Sequence, residues 1–314
     1  MKRKSISLLI QGILLALCLA ACGGQRPLPT PGYFSPPATP TKAGPAITET
    51  PMRPTLPPTI VVSEGLPFAT PAGVRLAESV HFVFYVEDNT LPSTQVEELK
   101  DEIERVFVYV SNRLGASIRD KIALTFNRPS NEPCPLRGTS IWPFPHIVIY
   151  ADESTSREQI LGVAAHEIGH QIQYQNFGPG GPVDDAILTE GLATWAADHY
   201  WNAWQGASSF DDSVRSYLQD GRFIPLSEYD PRYQGEDCLV RRDIAYTERA
   251  SFVGYLIQCY GMDKLIALFG TFEAVTFDTL PTAIVPQEAD YEAVYGKPFQ
   301  ELEADWLRYL LAKE

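Results

Sequence analysis

Residues 166–170 read His166-Glu167-Ile168-Gly169-His170, and Glu190 follows twenty positions after His170 in the run Thr189-Glu190-Gly191-Leu192-Ala193. Side chains four apart on a helix lie one above the other, so His166 and His170 can face one ion while Glu167, one step round, flanks the same spot. Two imidazoles and one carboxylate form a tetrahedral zinc site with one position left open. The pattern therefore predicts one zinc ion held by His166, His170 and Glu190, with Glu167 beside it as an acid–base group. Composition alone would produce such a His-Glu-x-x-His run in roughly half a percent of chains like this one, which makes chance a weak competitor. The competing reading is two surface histidines on an ordinary helix and a solvated glutamate on another.

The surroundings support a helix. Leu161, Ala164, Ala165, Ile168 and Ile172 mark an apolar stripe at helical spacing, opposite the face with His166, His170 and Gln173. Thr155 to Glu158 offers a capping box at its start, and Gly178-Pro179-Gly180-Gly181 offers a stop. A second helix is expected from an N-cap at Asp184 or Asp185, after Pro182, through Ala186 to Trp201. Around Glu190 on its helical net stand Ala186, Ala193, Thr194 and Ala197, small enough to let this helix approach the first one closely.

HEIGH followed by TEGLA resembles the gluzincins, zinc metallopeptidases whose signature is HExxH followed after a variable gap by E-x-x-A or E-x-x-D. Tyr246-Thr247-Glu248-Arg249-Ala250-Ser251-Phe252, then Tyr260-Gly261-Met262-Asp263-Lys264-Leu265 and Tyr295-Gly296-Lys297-Pro298-Phe299 with Leu302 and Trp306, look like the peptidase MA-like branch. The resemblance covers roughly residues 75 to 312. It implies peptide-bond hydrolysis, with Tyr246 stabilising the transition state, although Ala250 stands one place later than the family's strict Tyr-x-x-Gly/Ala pattern. A buried core tyrosine is the alternative for Tyr246. Aminopeptidase-N-like enzymes hold a free amine with a Gly-x-Met-Glu-Asn segment, whereas the corresponding stretch here, Ser140 to Tyr150, is apolar and aromatic. The resemblance thus implies an endopeptidase. A degenerate gluzincin acting as a binding module, or a scaffold lipoprotein, is the alternative class.

Lys2, Arg3 and Lys4 precede an uncharged run from Ile6 to Ala21, the two regions of a signal peptide and short for a membrane span. Leu19-Ala20-Ala21-Cys22 resembles a bacterial lipobox, which implies cleavage after residue 21, lipid on Cys22 and an extracytoplasmic, lipid-anchored protein of the cell envelope. Thirteen of the 26 prolines fall between Gln25 and Ala72, too little apolar matter for a core, so residues 22–74 read as a Pro-rich disordered tether. Without Lys2, Arg3 and Lys4 the chain carries 22 basic against 39 acidic residues, a net charge of −17, which disfavours nucleic acid and anionic lipid.

Residues 75–314 then suffice for one domain, with lobes at about 75–180 and 181–314. The expected fold class is α+β and zincin-like, a small mixed sheet with the active-site helix in the first lobe and a mostly helical second lobe. Strands are expected at Ser79–Glu87, Lys121–Asn127 and His146–Tyr150, with Ile147 to Tyr150 the candidate edge for an extended substrate. Helices are expected at Ser93–Leu114, Ala245–Tyr260, Asp263–Phe269 and Pro298–Ala312. Cys134 and Cys238 lie in loop-like stretches and would pair as a disulfide in an oxidising compartment, or stay as two loop thiols; Cys259 reads as a packed thiol. His81 and His199 read as structural. The implied partners are a protein or peptide substrate and, through the lipid, a membrane; the implied state is a monomer.

Overall fold

A computed structural model describes residues 71–177, 185–231, 233–272 and 288–312. The signal segment, Cys22, the tether up to residue 70 and the Gly178–Gly181 stop lie outside the described residues.

The described chain is α+β. Five strands, β1 (Val74–Glu78), β2 (Phe82–Val86), β3 (Ile122–Asn127), β4 (Gly138–Ile141) and β5 (His146–Tyr150), form one mixed sheet in the order β1-β2-β3-β5-β4. The β2–β3 and β3–β5 pairs are parallel, and the two outer pairs are antiparallel. Alternation decides the packed face. Phe82, Phe84 and Val86 stand in register with Ile122, Leu124 and Phe126, and the latter two with Ile147 and Ile149. All eight are at most 3% exposed, and full burial of each such side chain contributes about 1.5–3 kcal/mol.

Helix α1 (Ser93–Leu114) links the parallel strands β2 and β3 and presents Val96, Leu99, Ile103, Val106, Phe107 and Val110 at helical spacing to the core. Helix α2 (Arg157–Asn176) lies against α1, β4 and β5. Helix α3 (Ala186–Gln205), bent at Asp198, packs on α2 and on α5 (Cys238–Tyr260). Shorter helices α4 (Phe210–Asp220), α6 (Met262–Phe269), α7 (Tyr291–Tyr295) and α8 (Phe299–Leu311) complete the described fold. Among the described residues no helix is long and apolar enough to cross a membrane.

Several sequence expectations are corrected. Residues 79–81 turn the chain rather than extend it, with Ser79 N–H donating to the Phe82 carbonyl at 2.9 Å, so the strand expected at Ser79–Glu87 narrows to β2, and β1, the other arm of the hairpin, precedes it and was not expected. Strand β5 is interior, flanked by β3 and β4, so Ile147 to Tyr150 cannot be the substrate's edge; the edge on that side is β4. The cap of α2 is Ser156, whose hydroxyl accepts from Gln159 N–H at 3.2 Å, one place after the expected Thr155. Nor is α2 amphipathic: every residue from Ile160 to Gln173 is buried, because sheet and helices enclose it on all sides. Helix α5 begins seven residues before Ala245, at Cys238.

Of the motifs in the C-terminal third, Ser251, Phe252, Tyr295, Leu302 and Trp306 are buried in the core. Phe252 meets Trp306 and Phe299 at 5.7 Å between ring centroids, and Trp306 Nε1 donates to Ser251 Oγ at 3.1 Å. Beside them Glu248 is fully buried; its Oε1 accepts from Ile224 N–H at 3.0 Å, and its Oε2 has no hydrogen-bond partner among the described residues. Burial pushes its carboxyl up to about 8 from an ordinary 4.5. The fold therefore keeps a proton that the unfolded chain releases near 4.5, so this group's contribution is complete below that pH and fades as pH rises to about 8. Replacing Glu248 with Gln should flatten the fall in melting temperature between pH 5 and 8 and raise stability most at the alkaline end. Parallel melting curves of the two proteins across that range check it; identical pH profiles would show that Glu248 titrates normally.

Candidate active site

Helix α2 carries His166, Glu167 and His170, all buried, and α3 brings Glu190 against them. The helices can meet because Gly169 faces Ala193: a Cβ on Gly169 would lie 3.0 Å from the Ala193 Cα. Asp185 caps α3, accepting from Ile187 and Leu188 N–H at 2.8 and 3.3 Å, which sets the rotation that aims Glu190 inward.

Both imidazoles are held from behind. His166 Nδ1 pairs with Thr194 Oγ1 at 3.1 Å and His170 Nδ1 with Gln173 Oε1 at 3.4 Å, while Gln173 Nε2 donates to the Thr189 carbonyl at 3.1 Å. That leaves the two Nε2 atoms pointing at one spot, 3.0 Å apart, with Glu190 Oε2 at 3.1 and 3.3 Å from them. Zinc–nitrogen and zinc–oxygen bonds of about 2.0–2.1 Å put tetrahedral ligand atoms about 3.3 Å from one another. The three donors match that edge length, and their chemistry, two imidazoles and a carboxylate, suits zinc. Burial alone would raise the Glu190 carboxyl, but His170 and His166 outweigh it and hold the group well below the ordinary carboxylate range.

Glu167 points to the sheet side of α2. A Cβ at Gly138, on edge strand β4, would lie 2.6 Å from Glu167 Oε1, so only glycine there seats this carboxyl without a shift. Ser140 Oγ donates to the Glu167 backbone carbonyl at 2.7 Å, fixing β4 to the helix. Burial pushes the Glu167 carboxyl up from its ordinary value, the opposite direction to Glu190.

Tyr246 of α5 is half-buried, its ring stacked on His166 with centroids 5.4 Å apart and planes at 18°, and 6.1 Å from Trp201. Burial and then the Glu190 charge push its phenol well above 10, so it remains a proton donor through the neutral range. His166, Glu167, His170, Glu190 and Tyr246 line one cleft of ≈ 200 Å³, together with Gly138 to Ser140, Trp201, Trp204, Arg137 and Arg242. Cys134 and Cys238 are joined in a disulfide, Cα atoms 5.9 Å apart, linking the segment before β4 to the first residue of α5. Cys259 packs half-buried against the core.

His81 pairs with Glu104 and stacks on Phe107, and His199 sits among Tyr109 and Tyr200; neither lines the cleft. Sequence reasoning missed Gly138, Ser140, Arg137, Arg242 and the two tryptophans as cleft residues. It noted Thr194 only as a small neighbour, although its place four residues after Glu190 puts it on the same face.

No protein-family model and no curated protein matches the chain. Among solved structures it is similar to an M1 zinc metallopeptidase from Deinococcus radiodurans, at 18% identity and a TM-score of 0.38, covering 76% of this chain and 50% of that one. A point mutant of that enzyme gives the same identity and TM-score over 76% and 51%. The chain thus spans about half the length of those structures.

Replacing Thr194 with Val removes the hydroxyl behind His166 while keeping its volume. Zinc affinity should fall by about 10–100-fold, the usual cost of losing such a supporting partner, with little change in melting temperature of the metal-free protein. Competition with a chromophoric chelator measures it; unchanged affinity would remove Thr194 from the site.

Proposed function

We propose that this chain is a zinc-dependent peptidase of gluzincin type that cleaves within polypeptide chains, anchored by lipid on Cys22 outside a bacterial membrane. The zincin-like arrangement, with lobes divided near residue 180, belongs to the same reading. The observation that carries the catalytic part is the convergence of His166 Nε2, His170 Nε2 and Glu190 Oε2 beside Glu167 and Tyr246 in one cleft.

His166, His170 and Glu190 would hold the ion. Bound there, zinc supplies Lewis-acid polarisation of a carbonyl and brings the pKa of water toward neutrality. The chain's own groups do the rest. Glu167, raised by burial, is suited to take a proton from the attacking water and return it to the departing amine. Tyr246, kept protonated, is suited to donate to the oxygen on which charge develops. Peptide would lie extended along β4, the sheet's edge beside the cleft, gaining backbone hydrogen bonds as an added strand.

Cleavage inside chains is supported by the lining of the cleft. Among its described lining residues the only carboxylates are Glu167 and Glu190, both committed to the metal site, so a free amino terminus finds no acidic partner among them. The strongly acidic chain, −14 overall, argues against nucleic acid as a partner.

The base is tested by Glu167→Gln, which should keep one equivalent of zinc and lose about 10²–10⁴-fold in rate on a peptide library. Undiminished hydrolysis would place the activity elsewhere. For Tyr246→Phe, kcat should fall by about 10²–10³ with KM, zinc content and melting temperature near wild type. Loss of stability with normal turnover in the folded fraction would assign Tyr246 to packing.

A further inference from the structure

Two guanidinium groups reach the cleft, and they are not equivalent. Arg137 is neutralised: both its Nη atoms donate to the Asp243 carboxylate, and the group stacks on Trp204 at 4.8 Å. Among the described residues Arg242 hydrogen-bonds only neutral acceptors. Its Nη1 donates to the Pro135 carbonyl at 2.8 Å, and its Nη2 lies 3.3 Å from the Cys134 carbonyl and 3.2 Å from Cys134 Sγ. A guanidinium has five N–H donors, and these contacts leave at least two for which no described residue provides an acceptor. No described carboxylate hydrogen-bonds Arg242; Asp243, whose charge it also feels, is taken up by both Nη atoms of Arg137.

Its place on α5 sets its distance from the chemistry. Arg242 stands four residues before Tyr246, so the two side chains sit on one face of the helix about 5–6 Å apart. An extended peptide advances about 3.3 Å per residue. We propose that Arg242 is a specificity residue that binds a carboxylate of the substrate within about two residues of the scissile bond. This rests on the peptidase reading above. The carboxylate comes either from an acidic side chain or from a nearby chain terminus. The arginine is already ordered by Pro135 and by the Cys134–Cys238 link, so little side-chain freedom remains to be lost when it binds.

The test uses one cleavable neutral core in three forms: amide-capped without carboxylates, amide-capped with Glu placed in turn at each of the two positions on either side of the bond, and with a free carboxyl terminus two residues beyond it. Binding is measured by calorimetry to zinc-loaded full-length E167Q protein, and kcat/KM on the wild type. One carboxylate form should bind about 10–100-fold more tightly than the neutral one, as a charge-assisted pair gives, and which form does so identifies the source. Arg242→Gln should reduce that ratio to within about threefold of unity, and Arg242→Glu should reverse it toward the same core carrying Lys, a reversal that loss of folding cannot produce. Equal binding of all forms by the Arg242-bearing protein overturns the proposal, as does a carboxylate preference that survives in both variants. A carboxylate preference in binding without turnover of any peptide by the wild type would instead overturn the peptidase reading and leave the anionic subsite standing.

Discussion

The site depends on how close two helix backbones come. A glutamate side chain is short, and packed helices usually keep their axes 8–10 Å apart, with larger side chains holding them at the wider end. Here Gly169 meets Ala193, and the two Cα regions nearly touch. Everything else at the candidate metal site follows from that approach. Glu190 lies one turn before Ala193 and reaches both imidazoles; Thr194, the next residue, reaches His166 from behind; and the Thr189 carbonyl receives Gln173. A larger residue at either contact would separate all three connections together, although none of them involves the substituted position.

Close approach has a cost in buried polarity, and α2 bears most of it. Fourteen consecutive residues are buried, among them two histidines, a glutamate and two glutamines. Unpaired polar groups in such a place would each cost about 1–3 kcal/mol, so the partners are as much a condition of folding as of chemistry. Gln171 is satisfied by the carbonyls of Phe144 and His146, which also fixes the helix to the strand it covers. The two carboxylates are then separated by environment. Glu190 is surrounded by imidazoles and driven toward its charged form, whereas Glu167, seated against Gly138 and Val163, is driven toward its neutral form. A ligand needs the first condition and a proton carrier the second.

What could be read from the sequence was whatever rests on helical spacing. His166, Glu167, His170 and Glu190 come together because positions four apart on α2 share a face and because the residues around Glu190 are small, both visible in the chain. The sheet was less legible. Strand β4 is four half-buried residues, Gly138 to Ile141, with no apolar alternation, and only its pairing with β5 makes it a strand. That omission also misplaced the edge, since strand order is a tertiary fact. The cap of α2 moved by one residue because Thr155 and Ser156 offer the same chemistry and backbone geometry decides between them: Thr155 Oγ1 instead accepts from Asp152 N–H at 3.1 Å. Helix α4 was legible but not singled out: Phe210, Val214, Tyr217 and Leu218 stand at helical spacing in a short run of which only Phe210 and Val214 are buried. The lipidation and tether readings concern residues outside those described and rest on sequence alone.

The disulfide connects these two levels. It joins Cys134, just before edge strand β4, to Cys238 at the head of α5, across 104 residues of sequence that contain all of α2 and α3. In the chain-entropy model a loop of about a hundred residues is stabilised by up to ~4.7 kcal/mol against unfolding, a model-dependent figure. Its geometric effect is more specific. The wall of the cleft formed by β4 holds Gly138 against Glu167, and the wall formed by α5 carries Arg242 and Tyr246. Arg242 adds a second fastening at the same point through the Pro135 and Cys134 carbonyls, and the Arg137–Asp243 pair adds a third. Three links from one short segment to the first turns of one helix leave these two walls little freedom to separate, so the spacing between β4 and the Tyr246 phenol is set by covalent and ionic contacts as well as by the hydrophobic core beneath.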